Sequence, residues 1–286
     1  MKYILALFTV IILSSCSQPD KKIKQSFFVA GHAYGKPAPK GKKELYPPFK
    51  EKFQFLNDNQ NLHFGFLLGD VVRYPSSWPN VLKELEELRM PYYVARGNHD
   101  GPLDEFEKMF GKSYKKFVQN NNLFIVLDPN LSEWNISGEQ LKFLKETLKK
   151  EGQETDHIFI FMHQLIWWSK DKFSKPKPNW QQNRAENPNY WSTIEPILED
   201  IKVPVYLFAG DVGAFSKEYK KRDHIIEYAY FQEKNITYVA TGMGGGTRDN
   251  MVIVDVYDDN SIKLNLIHLN GDNIHSLGNL EDYKPN

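Results

Sequence analysis

Six short apolar runs punctuate the chain: Ser26–Ala30, Leu62–Leu68, Tyr92–Ala95, Leu123–Leu127, Ile158–Met162 and Val203–Ala209. Short runs of this kind, with few charges and no polar alternation, read as strands buried on both faces. Between them the apolar positions fall at helical spacing. Trp78 to Met90 carries Val81, Leu85 and Leu88 on one side, and Pro102 opens a segment with Leu103, Phe106 and Phe110, with Asp104 and Glu105 in its first turn. Ser137-Gly138-Glu139-Gln140 has the form of a capping box ahead of Leu141, Leu144 and Leu148; Ser192-Thr193-Ile194-Glu195 has the same form ahead of Ile197, Leu198 and Ile201. Strand alternating with helix predicts an α/β fold with a largely parallel core. Residues 237–270 predict closing strands that turn at Asp258–Asn260.

One stretch has neither period. Residues 165–191 hold four tryptophans and Pro176, Pro178 and Pro188. Unpatterned loops of this length in compact domains are usually lids, binding loops or disordered. The tryptophans argue against plain disorder, and the stretch directly follows His163, so an aromatic lid over the strand ends is expected.

The first residues belong to a different kind of segment. Lys2 precedes the apolar stretch Tyr3–Leu13, the length of a signal core and too short to span a bilayer. Leu13-Ser14-Ser15-Cys16 follows, and Cys16 is the one cysteine of the chain. With small residues before it and the polar Ser17–Lys22 stretch after it, this segment resembles a bacterial lipobox. That resemblance implies a signal peptide over residues 1–15, lipidation at Cys16 and a tether over residues 16–25; the remaining chain is expected to form a domain over residues 26–270 and a tail over residues 271–286. The protein is then expected at the cell envelope, outward of the cytoplasm, held by its lipid alone.

Composition changes this picture little. The 286 residues are 41% hydrophobic and carry 36 basic against 36 acidic side chains, which allows one large domain and gives no electrostatic case for nucleic acid. Aromatic content is 14%, which suits either stacking on sugars and flat groups or dense core packing, with packing the stronger expectation.

In parallel α/β sheets ligands bind beyond the carboxyl ends of the strands. Five of the runs here end in side chains that can hold a metal: His32, Asp70, Asn98-His99, His163 and Asp211. A lone histidine at a strand end is usually a satisfied core residue, and Gly-Asp is usually a turn. Five such endings predict a shared centre, and mixed His, Asp and Asn donors suit Mn, Fe, Zn or Mg.

The order Gly69-Asp70, Gly97-Asn98-His99-Asp100, a strand ending in His163 and a strand ending in Gly210 resembles the calcineurin-like metallophosphoesterases. The Gly-Glu-Gln-Leu start at 138–141 and the Gly-rich turn at 242–246 fit the same resemblance. It implies a four-layer α/β sandwich, two central mixed sheets flanked by helices, hydrolysing phosphomonoesters or phosphodiesters at a two-metal centre. Asp70 would bridge the ions, Asn98 and His163 would hold the second, and His32 the first. His99, oriented by Asp100, would protonate the leaving oxygen or stabilise the phosphoryl charge. The family pattern is departed from at both its ends: Ala30 stands where it opens with an aspartate, and Asp211 and Gly213 stand where it closes with two histidines. Both losses fall on the first ion, so one firm metal site and a doubtful second are expected. Arg73, Arg96 and Tyr34 are candidate substrate contacts. Two functions remain open at this level. One is an envelope-anchored hydrolase of small or glycan-linked phosphoesters. The other is an inactive surface binding protein on the same scaffold, stacking glycan rings on its aromatic loop.

Overall fold

The computed structural model describes residues 21–35, 44–169, 178–213, 228–245 and 249–270. The signal segment, Cys16, residues 170–177 of the aromatic loop, Gly246 and the 271–286 tail lie outside them.

Two sheets stack face to face. The first has the order β11-β10-β1-β2-β3, from Ile262–His268, Asn250–Tyr257, Ile23–Ala30, Leu62–Leu68 and Tyr92–Ala95. The second has the order β4-β5-β6-β7-β9-β8, from Lys115–Gln119, Asn122–Val126, His157–Met162, Val205–Ala209, Ile236–Thr241 and Tyr228–Glu233. β1, β2 and β3 run parallel, as do β5, β6, β7 and β9. The antiparallel strands β10 and β11, and β4 and β8, lie towards the outside. Among the described residues no helix is long and apolar enough to cross a membrane.

Strand periodicity explains the layering. Alternate residues of a strand face opposite sides, and here the inward set is aromatic. Phe27, Phe64, Phe66, Phe124, Phe159, Phe161 and Phe208 fill the space between the sheets, and the Phe66 and Phe161 rings stack with centroids 3.6 Å apart. The intervening residues point outward. Phe28, Ala30 and Leu67 meet Phe49 of α1 (Pro47–Lys50), Phe53 and Leu56 of α2 (Phe53–Asp58), Val81 and Leu85 of α3 (Trp78–Leu85) and Phe106 of α4 (Leu103–Phe110). On the far side Leu123, Ile125, Ile158 and Ile160 meet Leu144 and Leu148 of α5 (Gly138–Glu151) and Leu198 of α6 (Glu195–Glu199). The result is the four-layer α/β sandwich. The high aromatic content is largely core.

Several local expectations are corrected. β1 begins at Ile23, inside the expected tether, because Lys22 already donates its N–H to Asp258. Ser137 does not cap α5, since Gly138 has φ +54° and the serine hydroxyl bonds Ser132. The second capping box gives a wide π turn over Tyr190–Ile194, with α6 starting only at Glu195. β4 and β8 were not foreseen. β4 turns into β5 through Asn120 and Asn121, both at positive φ, the residue type that best tolerates that conformation. The aromatic loop is corrected most. Trp167 and Trp168 are buried in the outer core, Trp191 packs against it, and of the four only Trp180 is exposed. Three of its four tryptophans therefore serve the outer core.

At the opposite end of the sandwich, His157 Nδ1 stands 2.8 Å from Asn122 Oδ1, and the Asn122 amide donates to Gln25, joining the two sheets. Burial holds this imidazole below its ordinary 6.5. The neutral form is therefore favoured in the folded chain, and its contribution to stability is complete above pH 6.5 and is lost as pH falls through the lower folded value. Urea midpoints of wild type and His157→Gln are expected to converge as pH drops below 6.5, and a constant gap across that window counts against the assignment.

Candidate metal centre

Glycine brings the two sheets together. A Cβ on Gly31, just after β1, would lie 2.1 Å from the Thr241 carbonyl and 2.6 Å from the Gly210 Cα; one on Gly210 would lie 2.3 Å from the Leu68 carbonyl. Backbone meets backbone here, which no side chain permits. The residues that follow these strands are thereby delivered to one place. Their backbone is also unusual: His32 has φ +57° and Asp70 φ +49°. Non-glycine residues in that region are uncommon and cluster at functional sites.

Asp70 is the hub. Its Oδ1 lies 3.4 Å from His163 Nε2 and accepts the His99 N–H at 3.0 Å, while its Oδ2 lies 3.6 Å from His32 Nε2. On the far side of His163, Asp211 Oδ1 is 3.8 Å from the same Nε2. His32, Asp70, His163 and Asp211 are all buried. Each imidazole is fixed through its other nitrogen: His32 Nδ1 on the Met243 carbonyl at 2.9 Å, His163 Nδ1 on the Leu68 carbonyl at 2.8 Å and His99 Nδ1 on the Arg73 carbonyl at 3.0 Å. A carbonyl accepts only from N–H, so Nδ1 carries the proton in each ring, and the Nε2 of His32 and of His163 faces Asp70, the arrangement that orients histidine ligands.

Charge accumulates accordingly. Burial, reinforced by the Asp70 charge, pushes Asp211 up to about 8. Burial opposes a charge on His163, but the Asp70 and Asp211 carboxylates hold it up at about 10. Asp70 resists burial and is held well below the carboxylate range by His163 and His32. Burial takes His32 down to about 4.

Among the described residues no group of three or more His, Cys, Asp or Glu side chains forms a ready-made metal cage. The donor chemistry nevertheless fits one cation between Asp70, His163 and Asp211. Both Asp211 oxygens and His163 Nε2 are buried without a hydrogen-bond partner, and such groups are costly to leave unpaired. With metal–donor bonds of about 2.0–2.2 Å, donors on one ion stand about 3.0–3.5 Å apart, close to the separations given above. The His32 side is poorer. Ala30 packs in the outer apolar cluster, and Gly213 sits at φ +87° with a would-be Cβ 3.1 Å from Gly242, so a histidine there would be strained.

Not every expected residue arrives. Asn98 is exposed at the tip of the turn, beside rather than within the buried set. Asp100 does not touch the His99 ring. Its Oδ1 accepts from the N–H of Val71 and Val72 and its Oδ2 from the N–H of Asp70 and Gly97, binding the turn after β2 to the turn after β3. The orienting partner of His99 is the Arg73 carbonyl. Arg96 is not at the surface for substrate. Its Nε donates to Asp128 Oδ2 at 2.7 Å and its Nη1 to the Gly101 carbonyl. Asn130 then donates to the Arg96 carbonyl and accepts from Gln164. This polar strap, which runs from the end of β3 to the turns after β5 and β6, was missed; isolated Asp, Asn and Gln in three different turns carry no joint signal in sequence. Tyr34 does reach the centre, its ring 4.2 Å from that of His32 and 5.3 Å from that of His99.

The two-sheet sandwich gathers buried His and Asp donors at the carboxyl edges of its parallel strands. The profile of calcineurin-like phosphoesterases matches residues 42–242, and the chain belongs to that family. Among solved structures, the purple acid phosphatase PPD1 from yellow lupin (Lupinus luteus) seeds superimposes with a TM-score of 0.59 at 17% identity, over 92% of this chain and 56% of that one. The chain thus spans little more than half of the lupin enzyme, and at that identity the likeness is one of fold. A protein of unknown function from Aquifex aeolicus, AQ665, aligns at 14% identity over 51% of this chain and 82% of its own, with a TM-score of 0.28. No curated protein matches the sequence.

Proposed function

We propose that the chain is a metal-dependent phosphoester hydrolase working at a modified centre, anchored by Cys16 to the cell envelope. The observation that carries this reading is the convergence of His163, Asp211 and His32 on Asp70, with each histidine's Nε2 turned inward and the Asp211 oxygens unpartnered. Asp70, His163 and Asp211 would hold one divalent ion, Mn, Fe, Zn or Mg, with Asn98 at its open side and His32 as the remnant of a second position. Such an ion supplies polarisation of a phosphoryl oxygen and a lowered pKa for water. The chain's own residues do the rest. Asp70, fixed by the His99 N–H, keeps the centre in register; His99, as an imidazolium with its Nδ1–H held by the Arg73 carbonyl, would give its Nε2 proton to the leaving oxygen; Tyr34 packs against both imidazoles.

The experiment is hydrolysis of aryl phosphates by Mn-loaded protein, with metal analysis of Asp211→Ala alongside. Wild type is expected to retain about one ion per chain and to turn over substrate, and the variant to lose both. Metal-loaded protein with no turnover above background would sink the hydrolase. The anchor is tested separately: Cys16→Ser is expected to move the protein from the membrane to the soluble fraction, and unchanged partitioning would refute lipidation there.

A further inference from the structure

The turn between β9 and β10 carries the chain from the second sheet to the first, and a buried carboxylate at its far end gathers it. Asp249, wholly buried, accepts the Gly244 N–H on Oδ1 and the Gly245 N–H on Oδ2, each at 2.9 Å. Its Oδ2 also accepts the Asn270 side-chain amide at 3.1 Å. A charge so buried needs donors of this kind to be tolerated. One of these donors has a second role. The Gly244 N–H belongs to the same peptide unit as the Met243 carbonyl, and that carbonyl holds His32 Nδ1 at 2.9 Å. The peptide is planar, with its N–H and C=O pointing opposite ways, so Asp249 grips one end and His32 the other.

What this grip decides is the place of a proton. Across the ring, His32 Nε2 lies 3.6 Å from Asp70 Oδ2. A proton on Nε2 would bond that carboxylate and block the atom turned to the centre. The backbone around His32 is fixed by other means, since the Tyr34 N–H donates to the Asp70 carbonyl and the Tyr46 N–H to the Ala33 carbonyl, both at 3.0 Å. We propose that Asp249 is a positioning residue for the centre, acting through the single Met243–Gly244 peptide to keep the His32 proton on Nδ1 and its Nε2 bare. The inference rests on the hydrolase reading, in which His32 offers Nε2 as a donor atom. The mechanism is electrostatic: a carboxylate on the N–H polarises the peptide, and the carbonyl becomes a stronger acceptor for Nδ1–H.

The test is nitrogen NMR of the metal-stripped protein with isotopically labelled histidine, the His32 signals being identified by their loss in His32→Ala. Wild type is expected to carry the His32 proton on Nδ1. Asp249→Asn keeps the shape and removes the charge, and is expected to move the tautomer ratio about 5- to 10-fold towards Nε2–H, the difference between a charge-assisted and a neutral hydrogen bond. Turnover of aryl phosphates by the Mn-loaded variant is expected to fall about 10-fold, the lower end of what disturbing the support of a ligand histidine costs. A lowered urea midpoint with the His32 signals unmoved would make Asp249 a brace for the fold alone and overturn the proposal. So would a wild type protonated on Nε2, or moved signals with turnover intact. Should Asp249→Asn not fold, Asp249→Ser, which sets no opposed amide against the turn, is expected to give the same shift, and an unmoved ratio there would be equally fatal. Because the spectrum is read without substrate, the expected shift together with no hydrolysis by wild type would refute the hydrolase and not the relay. Hydrolysis with an unmoved spectrum would do the reverse.

Discussion

His99→Ala is expected to lower phosphoester turnover by about 10²- to 10⁴-fold, the usual contribution of a positioned proton donor. The main chain of His99 is tied to Asp70 Oδ1 and its Nδ1 to the Arg73 carbonyl, so the half-buried ring is held in place and Nε2 is the nitrogen left for proton transfer. It is not among the buried donors that surround Asp70, so metal content is expected to be unchanged in the variant. The size of the loss should depend on the leaving alcohol. Esters of acidic phenols depart without protonation and should lose little, while esters of poorly acidic alcohols should show the full effect. A loss equal across leaving groups, or one accompanied by loss of metal, would mean that His99 serves the architecture of the site and not proton transfer.

The second large effect is on stability. Asp128 is wholly buried and its carboxylate accepts from Arg96 Nε and from the Asn130 backbone and side-chain amides. Removing one partner of a buried pair leaves an uncompensated charge, so Asp128→Ala is expected to cost about 3–5 kcal/mol in denaturant unfolding. Arg96→Met combined with Asp128→Leu should recover much of it, because no charge is then stranded. A single variant within about 0.5 kcal/mol of wild type, the range of an ordinary surface change, would show that the pair is solvated. Arg96 immediately precedes the Gly97-Asn98-His99 turn, so loosening this strap should also lower activity.

The sequence read the interior well because burial on both faces writes itself as uninterrupted apolar residues. β1, β2, β3, β5, β6 and β7 lie within a few residues of where the runs place them. β4 escaped because it mixes polar with apolar residues and buries little on either face, whereas β8 is largely buried and carries a short apolar stretch, Tyr228–Phe231, that the six runs leave out. The two capping boxes misled for a related reason. Ser137 and Ser192 carry a local preference that competes with neighbours far along the chain, and Ser132 and the packing around Tyr190 prevailed. Composition could count the tryptophans of the 165–191 stretch but not assign them to core or surface, since that depends on which sheet face they meet.

At the centre the division is similar. Which side chains end the strands was legible, because parallel strands deliver their terminal residues to one edge, and His32, Asp70, His163 and Asp211 are found there together. What orients them was not legible. The partners of the three imidazoles are the carbonyls of Met243, Leu68 and Arg73, and a carbonyl has no letter in a sequence. Asp100 sits next to His99 in the chain yet points away to gather four backbone N–H groups. By itself the sequence determined most of the interior strands, their alternation with helices and the donors available, all of which follow from local burial pattern and residue chemistry. Only the tertiary structure decided how near Asp211 comes to His163, that Asn98 is exposed while the other expected donors are buried, and which carbonyls hold the imidazoles. Those outcomes depend on backbone contacts between Gly31 and Gly210, residues 179 positions apart by their numbering, that no local pattern encodes.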